Sequence, residues 1–124
     1  MSVSKLKKVK KMKNLAPQIY RQRLVIEGTV KSVISSSSLK EYLNTLSEKI
    51  GMITVMPAIT HRSEAYGEAG WIHWETSGAH FYAWDDPALF FSVDIYTCKE
   101  FNVETAVDFT KDFFDPTEIV YKSF

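Results

Sequence analysis

The residues best suited to chemistry lie in the stretch WETSGAHFYAW, residues 74–84. Ser77 carries a hydroxyl of the kind that acts as a nucleophile, and Gly78 beside it frees the backbone. The rest of the stretch is aromatic and strand-like, yet a Ser-Gly step weakens a strand. Two interpretations are open: Ser77-Gly78 forms a hairpin turn, or Ser77 is placed there to react.

Cys98 is the second candidate, and it is the only cysteine of the chain. A single cysteine excludes an intrachain disulfide and is typical of a reducing, cytoplasmic compartment. It ends the apolar run LFFSVDIYTC, where a cysteine is either a small buried hydrophobic residue or a proton donor.

The histidines and acids do not form a recognisable metal or hydrolase pattern. His73 and Glu75 share a strand face and His80 lies near Asp85, but two ligands on one strand do not make a site. The GxSxG elbow and the phosphate-binding glycine loop are both absent. We therefore predict no metal site.

The positions of these residues depend on a short set of predicted elements. A capping box at residues 38–41 predicts a helix to about Ile50, ended by Gly51. Asn102 is placed to cap a second helix over 103–114, stopped by Asp115-Pro116. Residues 61–70, with two glycines and mixed charge, are predicted to be a loop. Six segments have the composition of strands: residues 20–30, MITVMPAIT, GWIHWET, AHFYAW, LFFSVDIYTC and IVYKSF. Pro57 is expected near the end of its strand or at a sheet edge, and LFFSVDIYTC is expected to be central.

These elements predict an α+β two-layer sandwich of order β-α-β-β-β-α-β, with an antiparallel sheet and two helices on one face. Two helices cannot cover both faces of such a sheet. Because the uncovered face carries aromatic residues, we expect a second copy of the chain to cover it, giving a homo-oligomer.

Charge divides the chain into a basic flexible tail, residues 1–14, and a domain, residues 15–124. Six of the fifteen basic residues lie in the tail, which leaves nine basic and fifteen acidic residues in the domain. The tail is typical of a solvated terminus, with nucleic acid or anionic lipid as the alternative partner. The aromatic pattern of an RNA-binding sheet is absent, so we do not expect nucleic acid binding. No segment is long enough to span a membrane.

From about residue 20 onwards the chain resembles the small, pyruvoyl-dependent S-adenosylmethionine decarboxylases of prokaryotes. The most specific match is VDIYTC, residues 93–98, which is similar to the family's V-D-[IV]-[FY]-T-C segment ending in the catalytic cysteine. The family's E-S-H-x-x-x-H-T-W-P corresponds to T-S-G-A-H-F-Y-A-W-D. Anchored on Trp84, this alignment puts Ser77 at the self-processing serine.

Several residues depart from the family pattern. Thr76 replaces the glutamate before the serine, although Glu75 is one step away, and Gly78 replaces the following histidine. The second family histidine falls on Tyr82, whereas His80 lies two residues earlier. These departures affect the processing reaction more than the fold.

The resemblance implies that Ser77 becomes a pyruvoyl group, which holds the substrate through a Schiff base and withdraws electrons during decarboxylation. It implies that Cys98 returns a proton to the substrate carbon, and it makes His80 the candidate to assist processing. An adenine and a sulfonium ion favour aromatic faces and carboxylates. The candidate substrate-binding residues are Glu75, Glu68, Trp74, Tyr82 and Trp84.

The implied function is decarboxylation of S-adenosylmethionine to the aminopropyl donor for polyamine (spermidine) synthesis. One alternative is a diverged homologue that binds S-adenosylmethionine or a related amino acid without a pyruvoyl group. Another is a non-catalytic, ligand-binding regulatory module on the same sandwich.

Overall fold

The computed structural model describes residues 8–124. Residues 1–7 of the predicted tail lie outside the described residues. Residues 8–14 are exposed and lie in no helix or strand. The division into tail and domain at residue 14 stays a prediction.

Six strands and two helices make up the described chain. They are β1 (Gln22–Thr29), α1 (Ser36–Lys49), β2 (Thr54–Ser63), β3 (Gly67–Trp74), β4 (Ser77–Trp84), β5 (Phe90–Thr97), α2 (Val103–Phe114) and β6 (Glu118–Ser123). The sheet has the order β2-β3-β4-β5-β1-β6, and neighbouring strands are antiparallel. The predicted α+β sandwich is confirmed. The segments GWIHWET and AHFYAW belong to separate strands, β3 and β4, so four strands lie between the helices.

The sheet positions inferred from composition agree with the structure. The apolar β5 is central, since β4 and β1 flank it. β2 lies at one edge, where Pro57 costs no ladder hydrogen bond, and its pairing with β3 shifts register twice near this proline.

The second helix follows the prediction, but the first begins earlier than predicted. Asn102 accepts a hydrogen bond from the Thr105 N–H and caps α2. In α1 the cap is Ser35, whose hydroxyl accepts from the Ser38 N–H at 3.1 Å. The predicted capping box at 38–41 is therefore wrong, because four consecutive serines offer several caps and sequence spacing does not choose among them.

Two predicted irregular segments are strands in the structure. Residues 61–63 end β2 and Gly67 begins β3, so only residues 64–66 form the turn. The predicted loop over 61–70 is wrong because long pairing between β2 and β3 overrides its polar, glycine-rich composition.

The hairpin turn in the aromatic stretch is Glu75-Thr76, not Ser77-Gly78. Trp74 pairs with Ser77 and His73 with Gly78, so both residues of the Ser-Gly step belong to β4. Ser77 is the first residue of that strand. The hairpin-turn interpretation of Ser77-Gly78 is therefore wrong.

The core fills the space between the helices and one face of the sheet. Tyr42 of α1 lies at its centre, fully buried, and its ring contacts aromatic rings from both β4 and α2. Its hydroxyl lies 2.7 Å from that of Thr110. Burial raises the pKa of Tyr42 above its usual value, because the ionised phenolate would lose its hydration. Each helix is thus fixed to the sheet and to the other helix.

None of the described helices is both long enough and apolar enough to cross a membrane.

The buried Ser47 gives a test of this packing. The indole N–H of Trp74 donates to Ser47 Oγ at 2.6 Å, and Ser47 Oγ donates to the Leu43 carbonyl. Ser47→Ala leaves a buried indole N–H without an acceptor, so we expect a loss of about 1–3 kcal/mol in unfolding free energy, measured by chemical denaturation. Ser32→Ala, at an exposed position, is the control and should change it by less than about 0.5 kcal/mol. Equal denaturation midpoints for Ser47→Ala and Ser32→Ala would contradict the role of the Ser47 hydroxyl as acceptor for the Trp74 N–H.

Candidate functional site

Ser77 and Cys98 lie beside each other at one end of the sheet. Ser77 pairs with Thr97 across β4 and β5, and Cys98 follows directly. The Cys98 backbone N–H donates a hydrogen bond to the Thr76 carbonyl oxygen at 3.0 Å. The peptide group between Thr76 and Ser77 is therefore held against the end of β5.

The Ser77 hydroxyl points to the helix side of the sheet. Its oxygen lies 3.0 Å from Thr76 Oγ1 and 3.6 Å from Met52 Sδ. Thr97 Oγ1 lies 3.9 Å from the same sulfur, so three neighbouring hydroxyls surround one thioether. These partners are neutral and weakly basic, and a thioether is a weak acceptor. The hydroxyl is thus held in place without contacting a basic side chain.

Met52 owes its position to the end of α1. Gly51, with φ of 73°, turns the chain after the helix, and the Met52 N–H then donates to the Ser47 carbonyl at 2.8 Å. Met52 is buried, and it covers the helix side of the Ser77 hydroxyl.

His80 is not brought to Ser77 by the structure. Side chains alternate along a strand, so residues 77 and 80 face opposite sides of β4. His80 lies on the side without helices, which we call the open face, between Trp71 and Asp94 of the neighbouring strands. Its ring stacks on Trp71 with 6.2 Å between centroids.

His73 is the histidine nearest to the Ser-Gly step, and sequence reasoning did not place it there. It pairs with Gly78, and a Cβ added to Gly78 would lie 3.8 Å from His73 Nδ1. The sequence did not show that the hairpin turn lies at Glu75-Thr76, and the position of His73 depends on that turn. Once Glu75-Thr76 closes the hairpin, the register puts residue 73 opposite residue 78.

Cys98 is exposed, which excludes the packing interpretation. It continues the alternation of β5 beyond Thr97 and so falls on the side of Tyr96, the open face.

The candidate aromatic residues divide between the open face and the core. Tyr82 and Trp84 line a cavity of about 330 Å³ on the open face, with Tyr66 beside them. A second cavity of about 90 Å³ adjoins Tyr82 and His80. Trp74 is fully buried under α1 and has no surface for a ligand to contact.

The larger cavity is distant from Ser77. Trp84 is seven residues along β4 from Ser77, which is about 23 Å at roughly 3.3 Å per residue. Tyr82, the β4 lining residue nearest to Ser77, is by the same count about 16 Å away, so a ligand confined to the cavity does not contact Ser77 of that chain.

The two candidate carboxylates occupy different surroundings. Glu75 is exposed in the hairpin turn, close to Ser77 in sequence. Glu68 is buried at the far end of β3, 3.6 Å from an Arg62 nitrogen, and its Oε2 has no hydrogen-bond partner among the described residues. Arg62 also pairs with Asp85, and this hydrogen bond raises the pKa of Arg62. Glu68 is thus part of an ion cluster remote from Ser77.

Within residues 8–124, no group of three or more His, Cys, Asp or Glu side chains is arranged to hold a metal ion.

Comparison with known proteins identifies the fold and the family. The model of the family described as S-adenosylmethionine decarboxylase matches residues 26–124. The crystal structure of the adenosylmethionine decarboxylase from Aquifex aeolicus VF5 superimposes with a TM-score of 0.70, at 12% sequence identity, over 86% of this chain and 89% of that chain. At this identity the superposition shows the fold alone. The curated proteins gave no match.

The exposure of Cys98 predicts its reactivity. We expect a thiol-specific chromogenic reagent to label one thiol per native chain, because nothing in the described chain covers it. The label should be absent in Cys98→Ser, the matched control. A thiol that reacts only after denaturation in urea would contradict the exposed position.

Proposed function

Because the chain belongs to the S-adenosylmethionine decarboxylase family, we propose that it is a pyruvoyl-dependent decarboxylase of S-adenosylmethionine. We propose further that it acts in the cytoplasm and makes the aminopropyl donor for polyamine (spermidine) synthesis. The observation that carries the proposal is the hydrogen bond from the Cys98 N–H to the Thr76 carbonyl. It supports a common site for the bond that would be cut and the residue that would act on the substrate.

The same hydrogen bond suits the first step of self-processing. Ser77 Oγ would attack the Thr76 carbonyl carbon, forming an ester as the Thr76–Ser77 peptide bond breaks. Negative charge develops on the Thr76 oxygen during this attack, and a backbone N–H already directed at that oxygen stabilises the charge. Loss of the Ser77 α-proton then breaks the ester and leaves a Thr76 carboxylate. Water releases ammonia from the remaining unsaturated residue, and a keto group stays at position 77.

The surroundings of Ser77 fit this origin for the pyruvoyl group, since its hydroxyl and the Thr76 carbonyl belong to adjoining residues at an exposed strand end. When present, the group supplies the electron sink for decarboxylation. Cys98 is the candidate to donate the proton to the substrate carbon because its backbone adjoins the Thr76–Ser77 peptide group, with its side chain on the open face and the Ser77 hydroxyl on the helix side. Glu75 lies in the adjoining turn and remains a candidate carboxylate for the substrate's sulfonium.

The histidine role is better supported for His73 than for His80. His80 lies three residues along β4 on the open face, about 10 Å from residue 77 at strand spacing. His73 also lies on the open face, but it pairs with Gly78 and is therefore nearer to Ser77 than His80 is. We keep His80 as a candidate contact for the substrate, beside Tyr82 in the smaller cavity.

Substrate binding supports a dimer through the open face. Tyr82 and Trp84 offer aromatic surfaces for an adenine or a sulfonium, but along β4 they are about 16 and 23 Å from Ser77 of the same chain. A two-fold axis across the strands would place the cavity of one chain over the open-face side of Gly78 and Cys98 at the other chain's strand ends. The site would then be complete only in the dimer.

One observation favours the alternative of a diverged homologue without a pyruvoyl group. The Ser77 hydroxyl contacts a threonine hydroxyl and a thioether, and neither removes a proton readily. In that case the protein binds S-adenosylmethionine or a related amino acid with Ser77 intact. Calorimetric titration with S-adenosylmethionine separates this alternative from a regulatory module for another ligand.

Self-processing is tested by intact mass and denaturing electrophoresis. We expect the purified protein to separate into residues 1–76 and 77–124, with the second fragment blocked by a keto group. Ser77→Ala should remain one chain. Thr97→Ala is the matched control, because it removes a neighbouring hydroxyl without removing the nucleophile. A wild-type chain of full mass after long incubation would exclude the pyruvoyl mechanism and leave the diverged homologue.

Turnover is tested by release of carbon dioxide from carboxyl-labelled S-adenosylmethionine. Cys98→Ala should fold normally, because the side chain is exposed, and should still cut itself, because the backbone N–H is kept. We expect its decarboxylation rate to fall at least about 100-fold, the range of a lost general acid. Unchanged turnover would remove the thiol from the mechanism.

A further inference from the structure

The strand β6 forms an edge of the sheet and contains neither a proline nor a register shift. Within residues 8–124 it pairs only with β1, in an unbroken register from Glu118 to Ser123. The opposite edge, β2, contains Pro57 and two register shifts, which discourage further pairing. β6 has neither, so its outer backbone groups are available to another strand.

The sequence of β6 is complementary to itself in the antiparallel direction. Glu118-Ile119-Val120-Tyr121-Lys122 pairs with a second copy about a two-fold axis at Val120. Each Glu118 then lies opposite a Lys122, each Ile119 opposite a Tyr121, and Val120 opposite itself. Opposite charges and aromatic–branched pairs are the favourable cross-strand combinations.

We propose that β6 is an interface for a second copy of this chain, joined edge to edge in this register. The two six-stranded sheets then form one continuous sheet across the axis. This interface is separate from the open face and does not depend on the decarboxylase function.

The exposure and charge of β6 support this partner. Val120 is 55% exposed and Tyr121 57%, high values for apolar residues inside a strand. Neither Glu118 nor Lys122 forms an ion pair with the rest of the described chain. Glu118, Val120 and Lys122 lie on the open-face side, since they pair with Thr29, Glu27 and Val25. The charged pairs therefore flank an apolar centre on one face.

Ile119 and Tyr121 lie on the helix side of β6. Ile119 packs partly against the core and pairs with Gly28, whereas Tyr121 pairs with the buried Ile26 and remains largely exposed. In the proposed register the Tyr121 ring of each chain lies over Ile119 of the other. The apolar row of the helix face thus continues across the axis.

Charge reversal tests the register, with sedimentation velocity as the readout. Glu118→Lys alone places lysine opposite lysine twice, and Lys122→Glu alone places glutamate opposite glutamate twice. Each variant should weaken the edge association about tenfold or more. A mixture of the two variants should restore it, because each lysine then meets a glutamate. Glu104→Lys, on the exposed side of α2, is the charge-matched control and should change nothing.

Disulfide trapping tests the axis in a Cys98→Ala background. Val120→Cys should crosslink into a covalent dimer on mild oxidation, since the two positions face each other. Tyr121→Cys is equally exposed on the same strand, but its two copies lie diagonally, too far apart for a disulfide. Crosslinking at 120 and not 121, with restoration in the charge mixture, is the expected result.

Absence of the 120 crosslink, or charge variants that associate as the wild type does, would overturn the proposal. The edge would then stay free or be covered by another segment, such as the chain's own N-terminal residues. Crosslinking at both positions would show association without a defined register and would also overturn it.

Discussion

The register set by the turn Glu75-Thr76 is the constraint on which the rest of the structure depends. It pairs Trp74 of β3 with Ser77 of β4, and the register between β4 and β5 then pairs Ser77 with Thr97. A slip of one residue in either pairing would exchange the two faces of the sheet. Phe81 would then leave the core for the open face, and Tyr82 would enter the space under the helices. The position of Ser77 is thus fixed by the same pairing that fixes the core.

The turn itself is not of the kind that usually closes so short a hairpin. Two-residue hairpins favour turns with positive φ, which match the twist of the strands. Asp115 is the only non-glycine residue of the described chain with positive φ, so neither Glu75 nor Thr76 adopts that conformation. The register must therefore be held by neighbouring contacts. The hydrogen bonds of Glu75 N–H to the Ile53 carbonyl and of Cys98 N–H to the Thr76 carbonyl hold the turn on both sides.

The sequence predicted elements whose signals are local and strong. The helix α2 has a capping Asn102, an apolar stripe and a stop at Asp115-Pro116, and its observed bounds agree with the prediction. The central position of β5 followed from its continuous apolar run. The sequence did not predict the start of α1, because packing selects the capping residue among four equivalent serines. The strands within residues 61–70 did not follow either, because their stability comes from pairing with each other rather than from their own residues.

The candidate site shows the same division between local and non-local information. The pairing of Ser77 with Thr97 could not be read from the sequence, because it depends on where the turn lies. For the same reason the sequence points to His80 rather than His73: His80 is closer to Ser77 along the chain, whereas the hairpin register places His73 directly opposite Gly78.

The contrast between the two sides of the Thr76–Ser77 peptide group decides how this site can react. On the β5 side, a backbone N–H is directed at the carbonyl oxygen, an arrangement that favours attack on the carbonyl carbon. On the helix side, the Thr76 hydroxyl and the Met52 thioether contact the nucleophile without activating it. In the proposed reaction the Thr76 carbonyl is thus polarised for attack, whereas the Ser77 hydroxyl is not activated. The proposed acyl shift occurs within one peptide group, so proximity lowers its barrier, but the Ser77 hydroxyl must still lose its proton. If the chain processes itself as proposed, the reaction should be slow, because neither side chain that contacts the Ser77 hydroxyl is a good base.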